Sequence, residues 1–186
     1  KTIVCDRYDT DGNLLASHEV NGKLTSWIYG YNNALIIATV ENVLHSPETY
    51  GERDNQVFYT SFEDAHGQET IPAKGGKKVR HGIFDIPVGT FIPGKYILSY
   101  WRSKDKGKTW EFMKEVISIN QEMESYRLRS IYKEKDALGK EIEKFAYIDE
   151  VILMPQNALI NTAAYLPGIG IMNEKEPGGT MKYYRY

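Results

Sequence analysis

Cysteine is almost absent from this sequence. Cys5 stands alone, so no disulfide forms within the chain, and cysteine usage leaves the redox compartment open. Long apolar runs are missing too. The longest, Ala34 to Ala38, falls far short of the roughly 20 residues of a membrane-spanning helix. Neither sign of charge prevails: 23 Lys and Arg against 25 Asp and Glu leave a formal charge of -2. That argues against a nucleic-acid partner, which needs a basic patch to neutralise phosphates. No signal peptide opens the chain, which begins mid-pattern at Lys1 without Met. It reads as a fragment of something larger, so the missing signal is no evidence for the cytosol.

Motifs that carry catalysis are also lacking. The histidines, His18, His45, His66 and His81, show no metal-ligand spacing. Lys74-Gly75-Gly76-Lys77-Lys78 lacks the first glycine and the Ser or Thr of a phosphate loop, and Gly168-Ile169-Gly170 lacks the third glycine of a dinucleotide fingerprint. Asp149-Glu150 would alternate across a strand rather than face each other, and Cys5 has no evident histidine partner. Without two facing carboxylates a glycosidase-like enzyme ranks third among the readings.

What the chain does have is tyrosine, 14 in all within an aromatic content of 12%. Tyr favours strands and suits half-exposed sheet faces. Asn21-Gly22, between Leu14–Val20 and Lys23–Tyr31, reads as the two-residue turn of a hairpin. Ile36, Ala38 and Val40 alternate as a further strand. Polar, turn-rich residues 46–56 place a linker after residues 1–45. From Val57 to Pro155 strand patterns recur with turns between them, Lys95–Trp101 and Tyr147–Met154 being the clearest, as in an antiparallel β-sandwich. Thr109–Met113 and Glu115–Ile119 read as further strands. Ile131 to Lys144 fits a solvated helix or a hairpin with its tip at Asp136–Lys140; the turn residues favour the hairpin. Residues 156–186 return to glycine turns and Tyr-alternating strands.

Two edges carry a family resemblance. Trp27-Ile28-Tyr29-Gly30-Tyr31-Asn32, Ile37-Ala38 and Glu41-Asn42 resemble the segment that follows Tyr-Asp (RHS-type, or YD) repeats in very large bacterial proteins of Bacteroidetes type. Ile148-Asp149-Glu150-Val151, Met154-Pro155, Ala158-Leu159, Thr162, Tyr165 and Gly168 to Met172 look like the run before the next repeat. Tyr183-Tyr184-Arg185-Tyr186 stops where a Tyr-x-Tyr-Asp would finish. The middle is similar to jelly-roll domains of the galactose-binding or carbohydrate-binding-module type, through Phe62-Glu63, Ala73-Lys74-Gly75-Gly76-Lys77, Tyr96 to Trp101 and Ile148–Val151. It departs from them at Asp64 to Pro72, which is short and has no aromatic where relatives carry a longer excursion.

The resemblance implies an all-β chain: a jelly-roll sandwich at 57–155 flanked by repeat hairpins at 1–45 and 156–186. It also implies a secreted or cell-surface parent protein whose neighbouring repeats are the partners. The expected function is that of a non-catalytic structural or interaction module, with glycan binding as the alternative. For glycans the platforms available are Trp101, Trp110, Tyr100 and Tyr59, since sugars stack on exposed rings. Tyr100 and Trp101 point to opposite strand faces, so one is core and the other open. The competing expectation is a buried Trp101 and a Trp110 that caps a hairpin. Relatives of this type often hold a structural calcium, for which the resemblance points to Glu63, Asp149 and the Gly75 carbonyl.

Overall fold

A computed structural model describes residues 2–20, 22–44, 53–63, 69–166, 168–176 and 180–184. Every element named is a strand. The first four are β1 (Ile3–Tyr8), β2 (Leu14–Glu19), β3 (Leu24–Gly30) and β4 (Leu35–Glu41). Short strands follow: β5 (Phe58–Thr60), β6 (Glu69–Thr70), β7 (Lys78–His81) and β8 (Ile83–Pro87). The middle contains β9 (Gly94–Ser103), β10 (Glu111–Ile119), β11 (Ser125–Arg129), β12 (Ile131–Lys135), β13 (Glu141–Phe145) and β14 (Tyr147–Met154). The last three are β15 (Leu159–Leu166), β16 (Gly170–Lys175) and β17 (Met181–Tyr183). The all-β, antiparallel expectation holds.

The two edges of the sequence form one sheet, ordered β1-β2-β3-β4-β15-β16-β17. Its continuity rests on β4 and β15, which pair directly, Glu41 opposite Leu159 and Ala38 opposite Thr162, although residues 42–158 intervene. The β2–β3 turn is longer than two residues: the Glu19 amide donates to the Lys23 carbonyl at 3.3 Å and the Gly22 amide to the Glu19 carbonyl at 2.8 Å. Asn21 lies outside the described residues, as does most of the expected 46–56 linker. The part of it that is described is tied down, with the Gln56 amide donating to the Leu44 carbonyl and Asn55 bridging to Phe91.

In the middle, β14 is the spine. β9 pairs with one of its edges, while β5 and β7 share the other, and β10 lies outside β9. β8 pairs with β11, and the ambiguous 131–144 stretch is the β12–β13 hairpin, closed at Asp136 and Lys140. The two strands expected around Lys114 are one unbroken strand, β10.

One apolar core joins β8 and β11 to β9, β10 and β14, through Ile86, Leu128, Leu98, Tyr100, Ile117, Val151 and Leu153. A second core lies on the other side of β14. There Val57, Tyr59 and Ile152 pack against Ile28, Val40 and Ile160 of the hairpin sheet. β14 is thus buried on both faces, which accounts for its near-continuous apolar run. The strands lie in three layers, with β14 in the middle one.

Candidate functional site

A β-bulge in β14 organises the seam between the hairpin sheet and the sandwich. Asp149 stands opposite Trp101, and the register slips by one before Ile152 meets Ser99. The extra residue is Glu150, whose backbone adopts φ 52°, a left-handed conformation that non-glycine residues occupy only when their surroundings hold them there. Strict alternation would put Asp149 and Glu150 on opposite faces. The bulge instead turns both carboxyls toward the hairpin sheet, and both are buried.

Each is closed off by donors. Asp149 Oδ2 accepts from the Lys74 and Gly75 amides, both at 2.8 Å, and Oδ1 from the Glu150 amide at 2.8 Å. Glu150 Oε1 accepts from the Tyr59 hydroxyl at 2.8 Å, with the Thr162 hydroxyl at 3.5 Å from Oε2. Glu63 Oε1 accepts from the Lys77 and Lys78 amides at 2.6 and 2.7 Å. Asn173, on β16, donates to the Gly75 carbonyl at 2.8 Å. Two acids, Asp149 of β14 and Glu63 just beyond β5, therefore hold residues 74–78 through backbone amides, Tyr59 holds Glu150, and β15 and β16 bind Glu150 and the Gly75 carbonyl through Thr162 and Asn173. Glycine is needed at the crossing point. A Cβ on Gly75 would fall 2.5 Å from Glu150 Cδ, and one on Gly76 would fall 2.7 Å from Glu63 Cγ.

Burial pushes the Asp149 carboxyl well above its ordinary range; the neighbouring Glu150 charge adds to this and the amides oppose it. Glu150 is raised by the same desolvation, which the Lys175 charge and the Tyr59 hydrogen bond oppose. Tyr59 is pushed well up, by burial first and then by Glu150. Glu63 is also raised, its burial outweighing the amides.

The residues expected around a calcium, Glu63, Gly75 and Asp149, do meet at this seam. Their donor set does not fit the ion. Both Asp149 oxygens, one Glu63 oxygen and the Gly75 carbonyl already face N–H donors, whereas calcium takes six or more free oxygens. Among the described residues no group of three His, Cys, Asp or Glu side chains is disposed to hold a metal.

The aromatic candidates separate. Tyr100 and Tyr59 are core residues, at 5% and 4% exposure, Tyr59 being committed to Glu150, so neither offers a platform. Trp110 is half-buried, and its indole N–H donates to the Pro72 carbonyl at 3.1 Å. Trp101 does point away from the sandwich core. Its ring lies 5.1 Å from that of Phe112 on the adjacent strand, with the Lys74 ammonium 4.5 Å from its centroid. Phe112, which periodicity alone did not single out, is the open ring of the pair at 47% exposure. Its place directly opposite Trp101 is the signal that pairing register supplies.

No helix among the described residues is long and apolar enough to cross a membrane. No family model matches the chain, and neither a curated protein nor a solved structure is detectably similar to it.

Proposed function

We propose that this chain is a non-catalytic structural and interaction module of a large, surface-exposed or secreted protein of the RHS or YD-repeat type, in which a jelly-roll-like sandwich is carried on a ribbon of hairpins. The observation that carries this reading is the direct β4–β15 pairing, which makes the hairpin sheet continuous across the inserted strands. The ends of that sheet support it. β1 is largely exposed, with Ile3 and Tyr8 at 60% and 57%, and β17 leaves Tyr183 at 62%. Such edges present unpaired backbone groups to a further strand, which neighbouring repeats would supply. The carboxyls of the seam work as tethers in this reading, since each is closed by amide or hydroxyl donors.

The test joins a Tyr-Asp hairpin covalently ahead of β1 and measures amide hydrogen exchange. Protection of the outward β1 amides and a higher unfolding midpoint are the expected result. Unchanged exchange along β1 would remove the repeat reading.

A second reading, glycan binding, is favoured by the Trp101–Phe112 pair, since Phe112 leaves nearly half its surface to solvent beside a second ring. An affinity-gel screen of the chain and its Phe112→Ala variant tests it, and no retention on any glycan would end it.

A further inference from the structure

The face of β9 and β10 that turns away from the sandwich core holds Lys95, Ile97, Ser99 and Trp101 from one strand and Phe112, Lys114, Val116 and Ser118 from the other. Neither β9 nor β10 contributes a carboxylate to it, in a chain whose acids outnumber its bases, and the β14 acids on the same side, Asp149 and Glu150, are buried. The acids of β10, Glu111 and Glu115, alternate to the opposite face, and Glu111 is taken up by Arg102 and Lys104. Two more lysines reach the face from elsewhere. Lys74 comes from the tethered loop to lie over Trp101, and Lys175 comes from β16 of the hairpin sheet to lie 5.8 Å from the Phe112 centroid. Among the described residues none of these four lysines has an ion-pair partner within 4.0 Å, although Lys175 also feels the buried Glu150 charge. Val116 is 69% exposed on the same face as Phe112.

Ammonium groups set against rings, where the neighbouring acids are buried, are complementary to a ligand that pairs a flat apolar side with a carboxylate. A uronic-acid sugar has that shape: its C–H face stacks on an aromatic ring while its carboxylate meets an ammonium. We propose that this corner between the two sheets is a binding surface for an acidic, uronate-containing polysaccharide, with Phe112 as the stacking ring and Lys74, Lys114 and Lys175 as the anion-binding groups. The proposal rests on the glycan reading and adds the class of glycan.

The test runs the 186-residue chain through affinity gels containing polygalacturonate, a neutral xylan, a neutral glucan or polyglutamate. Phe112→Ala and the double variant Lys114→Gln/Lys175→Gln are run beside it, with unfolding midpoints showing that all are folded. The expected result is retention by polygalacturonate alone, weakened by salt and reduced about tenfold by either variant, the loss of one good contact. Equal retention by xylan or glucan overturns the acidic specificity and leaves the glycan reading standing. Retention by no glycan removes both. Polyglutamate binding as strong as polygalacturonate binding and indifferent to Phe112→Ala overturns the site in favour of bare charge. Wild-type retention in folded variants also overturns it.

Discussion

Replacing Gly75 with Ala tests whether the seam of acids holds the layers together. No left-handed φ is required at Gly75, so the backbone itself accepts alanine. The obstacle is steric. The new methyl would sit 2.5 Å from Cδ and 2.7 Å from Cγ of Glu150, and closer still to Oε1. An exposed glutamate would swing aside, but Glu150 is 2% exposed, bonded to Tyr59 and fixed by the bulge. Either its carboxylate leaves Tyr59, or the loop retreats and the Lys74 and Gly75 amides leave Asp149. Each buried hydrogen bond to a charged group is worth about 1.5–3 kcal/mol, so the loss of one or two gives a destabilisation of about 1.5–6 kcal/mol. Urea unfolding with the m-value held constant is the assay. The double variant Gly75→Ala/Glu150→Ala makes room for the methyl and recovers part of the loss, giving a non-additive cycle of about 1–2 kcal/mol. A single-variant loss under about 1 kcal/mol, or strict additivity, would refute the tether.

Three further outcomes follow from the same acids and turns. In the folded protein Asp149 and Glu150 bind protons more tightly than in the unfolded chain, so their contribution to stability is greatest below the ordinary carboxylate range and declines as pH rises through 4.5 toward their raised values. Glu150→Gln keeps an acceptor for Tyr59 and removes the buried charge, so thermal melts from pH 4 to pH 8 show a shallower decline and an unchanged or higher midpoint at neutral pH. Asp105 has the opposite sign: hydrogen bonds from Thr109 and Ser103 hold its carboxyl down at about 2, and an NMR titration finds its midpoint there. Its stabilising contribution is complete above 3.8 and is lost as pH falls through about 2. Calcium at millimolar concentration, or its chelation, leaves the unfolding midpoint unchanged, because most of the seam oxygens already face N–H or O–H donors; a clear upward shift with calcium would show a cage assembled by rearrangement.

Much of the fold was legible because it lies in alternation and turn chemistry. Tyr96 to Trp101 reads as a strand with Tyr100 and Trp101 on opposite faces, without saying which of the two is core, and Asp136 to Lys140 reads as a hairpin tip, since Asp and Gly favour that turn more strongly than the surrounding Lys and Glu favour helix. The meeting of Glu63, Gly75 and Asp149 was legible only through resemblance. The side on which Glu150 falls was hidden, because period-two reasoning assumes an unbroken ladder and a bulge moves one residue to the other face without a local sequence mark. Tyr59 looked like a platform because a short aromatic strand does not reveal what covers it, and here the hairpin sheet does so. The β4–β15 pairing is a long-range event that no window of sequence contains.

That pairing puts Glu41 and Leu159 side by side, so the segment leaves and re-enters the ribbon through one doorway. Any passenger with adjacent termini would satisfy the backbone at that doorway, yet few would satisfy the apolar patch around Ile28, Val40 and Ile160, which expects Val57, Tyr59 and Ile152 opposite it. Carrier and passenger are matched by that patch. Exchanging one passenger for another therefore means redesigning the facing residues of both.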